Sequence, residues 1–314
     1  MNQASSIESN REPLSGIIVP MATPLFSNGD FDKKGTERLI KHMLQGGVNG
    51  IFLLGTTGEA TSLKPSIKKA LITSTCDCVN GKVPVLVGLS HSCFDISLKL
   101  AQTAKESGAD AVVALAPYFY PLDQEDQLAY FRKVADASPL PLYLYNFPAM
   151  TKCHLEPNTV AALSKHPNIY GIKDSSGNVV YFQKLLAIKA ERPDFSVLIG
   201  PDEMLASALL TGADGGVNGG GNIFPSLYTK LYAASKNHDS ELVLKLHEII
   251  LEISKNIYNS SSKHSSYLSG VKESLYHLGI CEPHLAAPLL PADQQTKEKI
   301  RASVEQLTLK IKNL

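Results

Sequence analysis

Tyr143-Leu144-Tyr145-Asn146-Phe147-Pro148 and Gly171-Ile172-Lys173-Asp174-Ser175 bracket a segment of helical pattern, and each ends an apolar run of strand length. That is a strand–helix–strand unit, whose two strands lie parallel and adjacent in one sheet. Tyr145 and Lys173 then project from neighbouring strand ends on the same rim. An ammonium ringed by apolar residues is disfavoured, which leaves a neutral, nucleophilic amine. A phenol within reach can move protons while that amine condenses with a carbonyl. Taken singly, Lys173 reads as a solvated charge and Tyr145 as a packed aromatic with a satisfied hydroxyl. The pairing brings the reactive reading level, with Lys173 forming a Schiff base on a 2-oxo acid.

The same unit recurs in both directions. Upstream, Gly16–Ala22, Gly50–Leu54, Pro84–Gly88 and Ala111–Ala116 read as strands, separated by helical stretches at Lys33–Gln45, Ser66–Val79, Cys93–Ser107 and Asp123–Asp136. Strands Pro141–Tyr145 and Ile169–Lys173 flank helix Pro157–Lys165. Downstream come helix Val179–Arg192, strand Ser196–Ile199, helix Met204–Thr211, strand Gly215–Asn218 and helix Phe224–Lys236. Strands apolar on both faces, repeating about every thirty residues, predict an α/β fold closed as a (β/α)8 TIM barrel. An open doubly wound sheet is the competitor, but it places Gly-x-Gly-x-x-Gly after its first strand. Gly16–Phe26 has no such loop, and the run Gly215–Gly221 comes with the last strand. The expected organisation is a mobile leader at 1–15, the barrel at 16–236 and a C-terminal three-helix extension at 237–314. The extension carries helical stretches at Asp239–Tyr258, His264–Leu278 and Asp293–Lys312.

The chain has 314 residues, 44% of them hydrophobic, which is enough for one large core. Basic and acidic residues number 30 each, for a formal net charge of +0, so neither nucleic acid nor an anionic membrane surface is an expected partner. Five scattered cysteines read as reduced thiols in the cytoplasm, not as a disulfide framework. Met1–Glu12 has no apolar core of the kind a signal peptide carries, and no apolar run reaches membrane-spanning length. Cys76 and Cys78 lack zinc-knuckle spacing and the histidines form no His-Glu-x-x-His run, so no built-in metal site is expected.

In such a barrel the reactive groups sit at the carboxyl ends of the strands. Gly55-Thr56-Thr57-Gly58-Glu59 offers hydroxyls and exposed amides after a strand. These can cradle a carboxylate without placing a cation beside the lysine, although a plain strand-to-helix turn is the alternative. Gly219–Gly221 either permits close backbone approach or leaves room for substrate. Lys272 stands in a similar tetrapeptide, Gly270-Val271-Lys272-Glu273, but belongs to an amphipathic tail helix and reads as a surface charge.

Four signatures, Gly55-Thr56-Thr57-Gly58-Glu59, Tyr145-Asn146-Phe147-Pro148, Gly171-Ile172-Lys173-Asp174 and Gly212-Ala213-Asp214-Gly215-Gly216, appear in that order. The chain resembles the dihydrodipicolinate synthase / N-acetylneuraminate lyase superfamily of class I pyruvate-dependent aldolases, from Gly16 to about Asn222 with a compatible tail. The resemblance implies a homotetramer of barrels with C-terminal helices, needing no metal or organic cofactor. It implies that Lys173 forms the Schiff base, that Tyr145 transfers protons and that Thr56 relays to it. Thr57 and nearby amides would hold the pyruvate carboxylate, Gly200 and Val217 would line the pyruvyl end, and Ser175 would add a substrate contact.

Within that family the resemblance points two ways. Met150 stands where the synthase branch usually carries an arginine for its second substrate, and methionine cannot make a bidentate carboxylate contact. Gly200-Pro201-Asp202-Glu203 is similar to the sialic acid lyases, where the acidic pair binds sugar hydroxyls. Phe147-Pro148-Ala149 is similar to aldolases of 2-oxo-3-deoxy sugar acids. Departures are Gly219, where lyases often have serine, and Phe119, where many relatives place a tyrosine that reaches a neighbouring subunit's site. The expected function is a lyase that cleaves a 2-oxo-3-deoxy sugar acid or N-acetylneuraminate-like substrate. The alternatives are 4-hydroxy-tetrahydrodipicolinate synthase and a barrel that binds a 2-oxo acid without turnover.

Overall fold

The computed structural model describes residues 12–314, so most of the expected leader at 1–15 lies outside the described residues. Strands β1 (Gly16–Pro20), β2 (Gly50–Leu53), β3 (Val85–Gly88), β4 (Ala111–Leu115), β5 (Leu142–Asn146), β6 (Ile169–Asp174), β7 (Ser196–Ile199) and β8 (Gly215–Gly216) form a closed barrel in sequence order. Every neighbouring pair is parallel, and Gly16↔Gly215 with Ile17↔Gly216 closes the ring. Helices α1 (Lys33–Gln45), α2 (Pro65–Val79), α3 (Phe94–Glu106), α4 (Gln124–Ala137), α5 (Pro148–Thr151), α6 (Pro157–Ser164), α7 (Val179–Leu186), α8 (Leu205–Leu210) and α9 (Pro225–Lys236) alternate with them. This is the (β/α)8 architecture that the strand pattern predicts.

Alternation along the strands divides the core. Ile18, Phe52, Leu86, Val113, Tyr143 and Leu198 meet in one cluster, while Ile17, Val19, Ile51 and Leu53 join the other, with the helices. Successive strand side chains point to opposite faces, so the first cluster fills the barrel and the second covers it. Each fully enclosed aliphatic side chain contributes roughly 1.5–3 kcal/mol. Helix starts are fixed by side-chain caps: Asp32, Asp123 and Asn178 accept the amide protons of Gly35, Asp126 and Tyr181. Each cap is worth about 1 kcal/mol and sets where the loop after β1, β4 or β6 must end.

The last strand is shorter than expected. Val217 still donates to the Ile199 carbonyl at 2.7 Å, but the chain then turns into a 3₁₀ segment, Gly219–Asn222. The tail forms α10 (Ser240–Ile253), which runs on through a π-turn at Ser254–Tyr258, then α11 (Ser266–His277) and α12 (Gln294–Lys312). Val243, Leu246, Ile250, Ile257, Val304 and Leu307 belong to the same core as the barrel helices. Among the described residues no helix is long and apolar enough to cross a membrane.

Candidate active site at the carboxyl rim of the barrel

Tyr145 and Lys173 are direct partners in the β5–β6 register, followed by Asn146 and Asp174. Both are enclosed, at 3% and 6% exposure. The Lys173 Nζ lies 4.2 Å from the centroid of the Tyr145 ring and 5.2 Å from that of Phe52. Those rings meet edge to face at 6.3 Å, and Phe147 stacks on Tyr145 at 5.9 Å. Aromatic faces attract a lysine ammonium at roughly 0.5–2 kcal/mol, which positions this side chain without a salt bridge. Among the described residues Lys173 is in no ion pair or hydrogen bond, so its amine is positioned yet unengaged. Beneath it the barrel keeps a void of about 10 Å³ lined by Ile18, Phe52, Leu86, Val113, Leu198 and Val217. That is room for at most one water, with apolar walls, so the lysine stem stands on dry packing.

The residue after each member of this pair locks the two strand ends together. Asn146 Nδ2 donates to Asp174 Oδ1 at 2.8 Å, Ser176 donates to both oxygens of Asp174, and Asn146 Oδ1 accepts the Leu155 amide. Burial pushes the Asp174 carboxyl above the usual carboxylate range, while the hydrogen bonds from Asn146 and Ser176 pull it back. Asn146 and Asp174 belong to the signatures, yet the sequence assigns them no role. Their role here is to fix the geometry of Tyr145 and Lys173.

The loop Gly55–Glu59 is shaped by two residues with left-handed backbone, Leu54 (φ 56°) and Glu59 (φ 57°). Such conformations cost non-glycine residues on the order of 1–3 kcal/mol and need outside support. The Glu59 carboxylate supplies it: Lys272 Nζ lies 2.9 Å from Oε1, and the Ala286 amide donates to Oε2 at 2.6 Å. Lys272 also donates to the His284 carbonyl at 2.6 Å and is 1% exposed. The surface reading of Lys272 is thereby corrected: it is a buried clamp between the rim loop and the tail. Thr57 is buried, and its hydroxyl pairs with the Tyr267 hydroxyl at 2.8 Å. Thr56 is half-buried, and among the described residues no hydrogen bond joins it to Tyr145.

Gly200 and Ser175 fit together. A Cβ on Gly200 would come within 2.0 Å of the Ser175 hydroxyl, so only glycine leaves that hydroxyl its place. Asn218 Nδ2 donates to the Gly200 carbonyl at 3.0 Å, and Val217 lines the void under Lys173. Asp202 requires a correction. It is fully enclosed and accepts from Tyr228 OH (2.5 Å), Tyr258 OH (2.6 Å) and the amides of Gly219 and Gly220 (3.0 Å each). Oδ1 holds one amide and Oδ2 an amide and both phenols, and with the residue 4% exposed these groups surround the carboxylate in place of solvent. It is instead the bracket that holds the Gly219–Asn222 turn against the tail. Burial pushes its carboxyl up, and the tyrosine hydrogen bonds oppose this. Glu203 is exposed and accepts from Ser254 Oγ through one oxygen; the other has no partner among the described residues.

Phe119 is 76% exposed, with φ at 96°, and packs edge to face on Tyr120, itself exposed. Met150 is exposed as well. A larger hollow of about 480 Å³ lies between α11 and α12, among Glu273, Glu282, Lys297 and Arg301. It contains none of the strand-end residues. The sequence reading missed Tyr267, and nothing in its local pattern marks a tail tyrosine as a partner of Thr57.

The chain matches the model of the dihydrodipicolinate synthetase family over residues 13–307. It is 33% identical to YagE of Escherichia coli strain K12, named as a candidate 2-dehydro-3-deoxy-D-gluconate aldolase, over 94% of this chain and 97% of that one. The structure of YagE in complex with pyruvate superposes with a TM-score of 0.89 over 94% of this chain and 99% of that one. A 4-hydroxy-tetrahydrodipicolinate synthase of Stenotrophomonas maltophilia strain K279a is 38% identical over 73% of this chain and 76% of that one. The solved dihydrodipicolinate synthase of Bacteroides thetaiotaomicron has a TM-score of 0.91 and 43% identity, over 94% of this chain and 99% of that one.

Proposed function

The chain belongs to the dihydrodipicolinate synthetase family of lyases and aldolases, and from that premise we propose that it cleaves a 2-oxo-3-deoxy sugar acid, or an N-acetylneuraminate-like acid, to pyruvate and an aldehyde. The observation that carries the reading is the in-register pair Tyr145–Lys173, enclosed, aromatic-walled and, among the described residues, without a competing carboxylate. The Lys173 amine adds to the C2 ketone and water leaves, giving an iminium. Tyr145 accepts the proton of the C4 hydroxyl, the C3–C4 bond breaks toward the iminium, and the aldehyde departs. The enamine takes a proton at C3 and water releases pyruvate. Thr56 is the next hydroxyl in the relay, Thr57 and the loop amides hold the carboxylate, and Ser175, Gly200 and Val217 bound the pyruvyl end. The iminium is the electron sink, so no cofactor enters the proposal.

Met150 favours cleavage over the synthase reaction, because no guanidinium stands there to hold a second carboxylate. The synthase reading keeps its support from the Stenotrophomonas and Bacteroides relatives. A pyruvate-release assay across 2-oxo-3-deoxy acids and N-acetylneuraminate, beside a condensation assay with aspartate semialdehyde, separates the two. Cleavage without condensation is the expected outcome, and condensation alone would reverse the assignment. Exposed Phe119, Tyr120 and Met150 suit burial against further copies, so we extend the proposal to a homotetramer. The five unpaired cysteines suit the reducing cytoplasm.

A further inference from the structure

Tyr267 approaches the rim from α11, 210 residues beyond its partner in sequence. Its hydroxyl lies 2.8 Å from Thr57 Oγ1. It also fills the space over Gly219: a Cβ at that glycine would sit 1.9 Å from the Tyr267 oxygen. The tyrosine is held from behind, since Tyr258 packs edge to face on its ring at 4.8 Å and donates its own hydroxyl to Asp202. Asp202 in turn holds the amides of Gly219 and Gly220. Tyr228 and Tyr258 already occupy this carboxylate, so the Tyr267 hydroxyl is left to Thr57 alone among the described residues.

We propose that Tyr267 is a positioning residue of the substrate site, setting the Thr57 hydroxyl for the carboxylate of a 2-oxo acid, and that Gly219 is glycine so that this phenol can reach it. The inference rests on the reading of Thr57 as a carboxylate ligand. Burial first, then the charge of Asp202, raises the Tyr267 phenol far above its ordinary value, so it stays protonated at working pH and Thr57 always meets the same partner.

The test is calorimetric titration of the full-length protein with pyruvate, comparing wild type, Tyr267→Phe, Thr57→Val and the double variant. Tyr267→Phe removes one oxygen and leaves the ring packed, so the fold is retained. Pyruvate affinity should fall about fivefold in Tyr267→Phe, with no further loss when the change is made in the Thr57→Val background. Gly219→Ala, which pushes the phenol away, should show the same loss. An unchanged affinity in Tyr267→Phe, or penalties that simply add in the double variant, would overturn the inference. Borohydride reduction at saturating pyruvate keeps the two questions apart. Undiminished labelling of Lys173 in Tyr267→Phe leaves the Schiff-base reading intact whatever the affinities show. Unlabelled wild type would remove that reading while the calorimetric comparison still decides Tyr267.

Discussion

Lys173 and Lys272 sit in near-identical tetrapeptides, Gly-Ile-Lys-Asp and Gly-Val-Lys-Glu, and both are buried, yet their surroundings are opposite. Lys173 ends a strand against the faces of Tyr145 and Phe52, with no anion to hold it among the described residues. Lys272 lies inside a helix, 2.9 Å from the Glu59 carboxylate and within hydrogen-bond distance of the His284 carbonyl. A buried amine with fixed partners is a structural tie. One that is enclosed and unpaired is available to a carbonyl. Burial alone therefore does not separate a nucleophile from a clamp; the partner set does.

The comparison can be broken first at Lys173. Lys173→Ala should lower pyruvate release on the order of 10⁴-fold or more with a melting temperature close to wild type. Comparable residual turnover would mean that the amine is not the nucleophile. Lys272→Met should do the reverse. It leaves the Glu59 carboxylate buried without its counter-ion, which costs about 3–5 kcal/mol, read as a lower urea midpoint. The Lys173 machinery should survive in the fraction still folded, and adding Glu59→Gln should recover part of the loss. A Lys272→Met protein as stable as wild type would show that the ion pair contributes nothing.

The carboxyls that follow the two lysines give the smallest effect. Burial raises both Asp174 and Glu273 above the usual range, against hydrogen bonds from Asn146 and Ser176 in one case and the charges of Lys297 and His277 in the other. Such a group keeps its proton longer in the native state than in the unfolded chain. Its contribution to stability therefore falls as pH rises from the ordinary carboxylate value to the raised one, and is level above that. Urea midpoints measured between about pH 4 and 7 should lose part of this downward trend in Asp174→Asn and in Glu273→Gln. A steeper trend in either variant would contradict the sign.

The barrel was legible because its strands are apolar on both faces and alternate with helical stretches, both local signals. Tyr145 and Lys173 were legible for the same reason: adjacent parallel strands place their ends side by side whatever surrounds them. Lys272, Asp202 and Tyr267 were not, because each takes its meaning from a partner far away in the chain. Glu59 decides Lys272, Tyr228 and Tyr258 decide Asp202, and Thr57 decides Tyr267. Tail helices carry no strand register, so nothing in a single sequence says which rim residue they will meet. Asp202 misled for a further reason: an acidic pair at a rim looks alike whether its oxygens face substrate or tyrosines.

The most direct measurement is reduction with borohydride in the presence of pyruvate, followed by peptide mapping by mass spectrometry. A stable adduct on Lys173, with Lys272 unmodified, is the predicted result. An adduct on Lys272 or another lysine, or none at all, would contradict the account.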